Sequence, residues 1–276
     1  WKIPFIFASN QIKLNVMRRI FFAAILLFAF LYESFAQMDN KFYHPDKKWN
    51  DIASVNYEDF YMYNDNDTIH TIIVKPERDI KATIIHFHGN GSNISKWIGH
   101  MKPLLNDGFQ ICMFDYRGYG KSTGAPTHLN IASDAQIWLD SLLKRDDIKS
   151  TPLIIYGASI GTQVATHMAR EYNDKLTALV LDGMMASFTD VALATSPKEV
   201  HEMIRQYVTS PYSAKEDIMH LINMKVLFIH SEEDFIPISG AKEIYDSLWI
   251  PKLFWEYTGK HIEAPVKYPD LFVEYI

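Results

Sequence analysis

The run Pro152-Leu153-Ile154-Ile155-Tyr156-Gly157-Ala158-Ser159-Ile160-Gly161 sets one serine between two glycines at the end of an apolar stretch. A buried strand that turns sharply into a helix there presents Ser159 at the apex, strained and with its hydroxyl exposed, as a nucleophile. Gly157 and Gly161 let the neighbouring backbone pass without a Cβ clash. Ile160 then offers its backbone N–H at a helix N-terminus, where a developing oxyanion is stabilised. Val164, Ala165, Met168 and Ala169 continue at helical spacing.

A serine hydroxyl is a poor nucleophile until a base takes its proton, and that base must be held by a third group. After an elbow of this kind the partners follow in the order serine, acid, histidine. The apolar run 226–230 leads into Ser231-Glu232-Glu233-Asp234-Phe235-Ile236-Pro237, which offers three carboxylates. Asp234 is the candidate acid, because Phe235-Ile236-Pro237 can bury its surroundings; Glu232, Glu233 and Asp182 are its rivals. Of eleven histidines, His261 stands in Tyr257-Thr258-Gly259-Lys260-His261, after the last apolar run, where a loop can swing an imidazole over the elbow. The others precede the acid or sit within strand and helix patterns. A second oxyanion donor is expected from the turn His88-Gly89-Asn90-Gly91-Ser92-Asn93, through the main chain of Asn90.

Other motifs fail on spacing. Gly118-Tyr119-Gly120-Lys121-Ser122 ends like a phosphate-binding loop, but the first glycine that loop requires is replaced by Asp115. His86 and His88 share a strand face, yet no third metal ligand is apparent nearby. His201-Glu202-Met203-Ile204-Arg205 lacks the second histidine of a zinc helix. No metal or organic cofactor is therefore implied.

These residues need a scaffold, and the chain has the means to build one. Its 276 residues, 48% of them hydrophobic, can bury a sizeable core. The net charge of −6, with Lys and Arg scattered, argues against a nucleic-acid partner. The single cysteine, Cys112, lies in an apolar run and reads as a small buried hydrophobe.

Residues 1–36 read as an upstream extension followed by a secretory signal peptide starting at Met17. Met17-Arg18-Arg19 precedes the apolar stretch 20–32, and Ala36 closes a small-x-small cleavage site. Thirteen apolar residues fall short of a comfortable bilayer span, so an extracytoplasmic protein without a stable membrane anchor is expected.

From about residue 40 apolar runs alternate with helical patterns, which signals βαβ units and a mostly parallel sheet. Strands are expected at 59–63, 68–75, 81–87, 109–115, 153–156, 178–181, 226–230 and 253–257, the first two as a hairpin turning at 64–67. Helices are expected at 93–106, 130–143, 160–172 and 239–248, with a last one beginning near Glu263 and interrupted at Pro269. About 184–222 breaks the alternation and reads as a small helical cap over the strand ends. Within it Met184, Met185, Phe188, Met203, Tyr207 and Tyr212 are candidates for an apolar acyl pocket or for plain core.

Together, His88-Gly89-Asn90, Asp115-Tyr116-Arg117-Gly118-Tyr119-Gly120-Lys121-Ser122, the Ser159 elbow, Asp234 and His261 resemble the α/β-hydrolases. The wording is most similar to the BEM46-like (ABHD13-type) serine hydrolases, from about Tyr57 to the last residue. The resemblance implies an α/β fold with an eight-stranded mostly parallel sheet, and a single domain is expected over 37–276. It further implies a Ser159–His261–Asp234 triad and an oxyanion hole from the backbones of Asn90 and Ile160. Leu181-Asp182-Gly183-Met184-Met185 departs from it in lacking the Ser-Pro often found there. The expected activity is that of an exported carboxylesterase, lipase or thioesterase-like acyl hydrolase on a small acyl substrate. An exported aminopeptidase-like enzyme of the same fold, or a non-catalytic binding module, is the alternative.

Overall fold

Each of the eight apolar runs forms a strand of one sheet. They are β1 (Tyr57–Asn64), β2 (Asp67–Val74), β3 (Ala82–Phe87), β4 (Phe109–Phe114), β5 (Leu153–Ala158), β6 (Ala178–Asp182), β7 (Lys225–Ser231) and β8 (Lys252–Tyr257). Their order across the sheet is β1-β2-β4-β3-β5-β6-β7-β8. β1 pairs antiparallel with β2, and β2 antiparallel with β4; every other pairing is parallel. The β1–β2 hairpin turns at Asp65, in the left-handed region at φ 55°.

This computed structural model describes Asp39 and residues 41–276. The expected leader, with its start at Met17 and cleavage after Ala36, lies outside the described residues. Phe42–Ile276 forms one compact unit.

Alternation along the strands splits the core into two layers, because successive side chains leave opposite faces of a sheet. Ile85, Cys112, Ile155, Leu179 and Phe228 point to one layer; Ile84, Met113, Tyr156, Val180 and Ile229 point to the other. The first layer is closed by α2 (His128–Leu142), α4 (Gly161–Glu171) and α8 (Ile238–Ser247). The second is closed by α1 (Ile94–Asn106) with α9 (Ala264–Lys267) and α10 (Pro269–Tyr275). The break between α9 and α10 falls at Pro269, which has no N–H to donate. One short helix, α3 (Asp146–Lys149), escapes the periodicity because a single turn has no periodic face to show. No described helix is long and apolar enough to cross a membrane.

Cys112 sits at the centre of β4 with no exposure, and burial pushes its thiol far up from its ordinary range.

The segment between β6 and β7 holds no strand. It contains α5 (Phe188–Thr195), α6 (His201–Tyr207), α7 (Ala214–Asp217) and two 3₁₀ turns, Lys198–Val200 and Ile218–His220. Phe188 stacks on His128 of α2 with ring centroids 3.6 Å apart, and the Tyr212 hydroxyl donates to the His128 carbonyl at 3.0 Å. Gln163 of α4 donates to the Met185 carbonyl and accepts from the Ala214 N–H at 3.1 Å. The insertion is thereby fastened to α2 and α4.

Candidate active site

β3 and β5 are neighbours whose crossovers leave to opposite sides, so a crevice opens beyond their carboxyl ends. Ser159 stands there at φ 53°, a strained conformation for a residue with a Cβ. Its N–H donates to the Asp182 carbonyl at 2.8 Å, while its own carbonyl accepts from the Thr162 N–H and hydroxyl at 2.9 and 2.6 Å. The flanking glycines answer close approach. A Cβ on Gly161 would stand 2.2 Å from the Phe87 carbonyl oxygen, and one on Gly157 2.6 Å from that of Gly161.

The loops after β7 and β8 bring the other two candidates to Ser159. His261 Nε2 lies 2.8 Å from Ser159 Oγ, and Nδ1 lies 2.7 Å from Asp234 Oδ2. With the proton on Nδ1, the ring donates to Asp234 and accepts from the serine hydroxyl. Asp234 has a nearly buried side chain, and its Oδ1 accepts the Ile236 N–H at 2.8 Å. Ser231 joins the two loops by donating its hydroxyl to the Gly259 carbonyl and accepting the Glu233 N–H at 3.1 Å. None of the rival carboxylates is hydrogen-bonded to His261. Glu232 and Glu233 are exposed, and Asp182 is buried against Tyr156, whose hydroxyl donates to Oδ2 at 2.6 Å. Burial, the largest cause, pushes Asp182 up to about 7.

Asn90 follows β3, in the loop beside Ser159, and Ile160 follows Ser159 at the start of α4. Among the described residues neither N–H donates to an intramolecular acceptor. The Asn90 carbonyl, by contrast, is gripped, accepting from the Tyr119 hydroxyl at 2.5 Å and the His44 N–H at 3.1 Å. Tyr116 donates to the His88 carbonyl at 2.8 Å, and its ring stacks on the His88 imidazole at 3.8 Å. Burial holds His88 down at about 4, so the ring is neutral. Asp115 accepts the Ile94 N–H at 2.9 Å, at the start of α1. The run from Asp115 to Ser122 thus clamps the turn carrying Asn90. Tyr116 and Tyr119 have no role in the sequence reading beyond the motif; their spacing around Gly118 was the available signal.

Tyr119→Phe tests the clamp. The Asn90 carbonyl loses its shorter donor, and we expect kcat to fall about tenfold with KM little changed, alongside a loss of about 1 kcal/mol of stability. Steady-state kinetics and thermal unfolding read both; a raised KM at constant kcat would contradict it.

A cleft of about 350 Å³ opens at Ser159 and His261, walled by Trp97, His100, Phe235 and Ile262 beside the Asn90 turn. None of the six insertion residues offered for an acyl pocket lines it. Met184, Met185, Phe188 and Tyr212 are core, and Met203 and Tyr207 are about half exposed.

A family profile described as "alpha/beta hydrolase fold" matches residues 82–210. The chain is similar to the uncharacterized protein YfhR of Escherichia coli K12, 30% identical over 192 residues, covering 68% of this chain and 66% of that one. It is similar also to the protein bem46 of Schizosaccharomyces pombe, 29% identical over 161 residues, covering 56% and 52%. The chain therefore spans about half to two thirds of these relatives' lengths. Among solved structures it is similar to the Pyrococcus furiosus esterase Pf2001, with a TM-score of 0.66 and 18% identity over 84% of this chain and 95% of that one. That likeness speaks for the fold, and the sequence relatives for descent: the chain belongs to the α/β-hydrolase superfamily, alongside the BEM46-like proteins.

Proposed function

We propose that the protein is a serine hydrolase that cleaves small carboxylic esters by two-step acyl transfer. The observation that carries this is the continuous chain Asp234–His261–Ser159, closed at 2.7 and 2.8 Å onto a serine held at φ 53°. Ser159 Oγ attacks the ester carbonyl carbon as His261 Nε2 takes the hydroxyl proton. Asp234 keeps the proton on Nδ1 and favours the imidazolium. The negative charge that develops on the carbonyl oxygen is received by the N–H groups of Asn90 and Ile160. The leaving alcohol takes the proton from His261, and water, deprotonated by the same ring, then releases the acid and restores Ser159. We place the activity outside the cytoplasm on the strength of the leader pattern in residues 17–36.

A fluorophosphonate probe, with mass spectrometry to find its site, and a panel of p-nitrophenyl acyl esters test the assignment. The probe is expected on Ser159, with hydrolysis of the esters lost in the labelled protein. No labelling would favour a binding module, and cleavage of aminoacyl amides without esters would favour a peptidase.

A further inference from the structure

Asp182 closes β6 with its side chain buried, and only one of its carboxyl oxygens is satisfied. Oδ2 accepts from the Tyr156 hydroxyl at 2.6 Å, whereas Oδ1 is buried with no hydrogen-bond partner among the described residues. Leaving a buried carboxyl oxygen unpaired is unfavourable. A buried tyrosine hydroxyl needs only a neutral acceptor, so supporting Tyr156 does not explain a carboxyl here.

Its surroundings suggest what does. The Asp182 carbonyl accepts the Ser159 N–H at 2.8 Å. The next residue, Gly183, lies at φ 62°, and a Cβ on it would stand 2.6 Å from Cε1 and 2.9 Å from Nδ1 of His261. The imidazole therefore packs on bare backbone one residue beyond Asp182. One dipeptide touches both the nucleophile's main chain and the ring of the base.

We propose that Asp182 is a positioning residue for this site, a second carboxyl that supports the charged form of His261 from beneath while Asp234 supports it at Nδ1. The proposal rests on the reading of His261 as the base. An ionised Asp182 favours an imidazolium beside it, and a protonated one does not. Burial raises Asp182 to about 7, so both forms are populated near neutrality. The groups facing it are Tyr156 from β5, Tyr257 from β8, and His261 and Asp234 from the loops after β8 and β7. Behind Tyr156, His86 of β3 stacks at 5.3 Å and is held neutral, mainly by burial; beside Asp234, His230 of β7 lies at 3.6 Å. Among the described residues no Lys or Arg pairs with Asp182 to hold it ionised. Among these residues the Tyr156 hydroxyl is likewise its one hydrogen-bond donor.

The test follows the His261 ring by NMR titration in the wild type, Asp182→Asn and Tyr156→Phe. Removing the carboxyl should lower the titration midpoint of His261 by about half a pH unit or more. Removing the tyrosine hydroxyl keeps Asp182 protonated to higher pH and should move the midpoint the same way. Thermal unfolding supplies a second reading. A carboxyl raised above its unfolded value lowers stability as pH climbs from about 4 to 7, so the wild type should lose ground to folded Asp182→Asn over that window. A midpoint unchanged in folded Asp182→Asn and in Tyr156→Phe overturns the proposal; if Asp182→Asn does not fold, Tyr156→Phe decides alone. Fluorophosphonate labelling of the same samples separates the two readings. Labelled protein with an unmoved midpoint removes the role of Asp182 only, and unlabelled protein with a moved midpoint removes the serine assignment only.

Discussion

Ser159→Ala is expected to lower kcat for ester hydrolysis by about 10⁴-fold or more, because the atom proposed to form the acyl bond is gone. The fold should scarcely notice. Alanine keeps the Cβ that already tolerates φ 53°, and the main-chain bonds to Asp182 and Thr162 do not involve the hydroxyl. Only the 2.8 Å contact with His261 is lost. The check is kcat on the best p-nitrophenyl ester together with a melting curve. Activity above a tenth of wild type in folded protein would move the nucleophile elsewhere. Two other serines have other employment: Ser122 donates to the Asp115 carbonyl at 2.7 Å, and Ser231 donates to that of Gly259.

Asp234→Asn should be nearly as damaging, with a loss on the order of 10⁴ in kcat. An amide keeps the shape, but it no longer favours the Nδ1 proton or the imidazolium. Asp182→Asn should lose no more than about tenfold, since its carboxyl reaches His261 through space and not through a hydrogen bond. Glu232→Gln and Glu233→Gln alter exposed side chains and should leave kcat unchanged. Rates at one pH on folded proteins decide the matter. A large loss in Asp182→Asn with a small one in Asp234→Asn would transfer the acid to the end of β6.

Much of this arrangement was legible because it is local. Strands announce themselves by apolar runs, and the turn at Ser159 by glycines two residues either side. The serine, acid and histidine loops could be ordered because each follows a strand. What was not legible depends on which distant loops meet. That Tyr119 reaches the Asn90 carbonyl, or that Ser231 ties the acid loop to the Gly259 loop, follows from sheet order, which no periodicity encodes. The cleft walls illustrate the same limit. Phe235 and Ile262 adjoin Asp234 and His261 in sequence, whereas the more apolar insertion residues go into the core or to the surface. The sequence alone sets Asp182 beside Asp234 as a rival acid. The partnership of Asp182 with Tyr156 needed β5 and β6 side by side, in a register that pairs Tyr156 with Val180 and Ala158 with Asp182.

The lone thiol at the centre of β4 has a practical consequence. Only thiolates react appreciably with maleimides, and Cys112 is both sealed off and held protonated. The natural chain is therefore silent toward such dyes without any cysteine having to be removed. Trp249, 99% exposed on the turn before β8, can be exchanged for cysteine to give one defined attachment point. A fluorophore or spin label placed there would sit on an otherwise unaltered protein, and Ser159, the proposed nucleophile, would be left for a second, orthogonal tag.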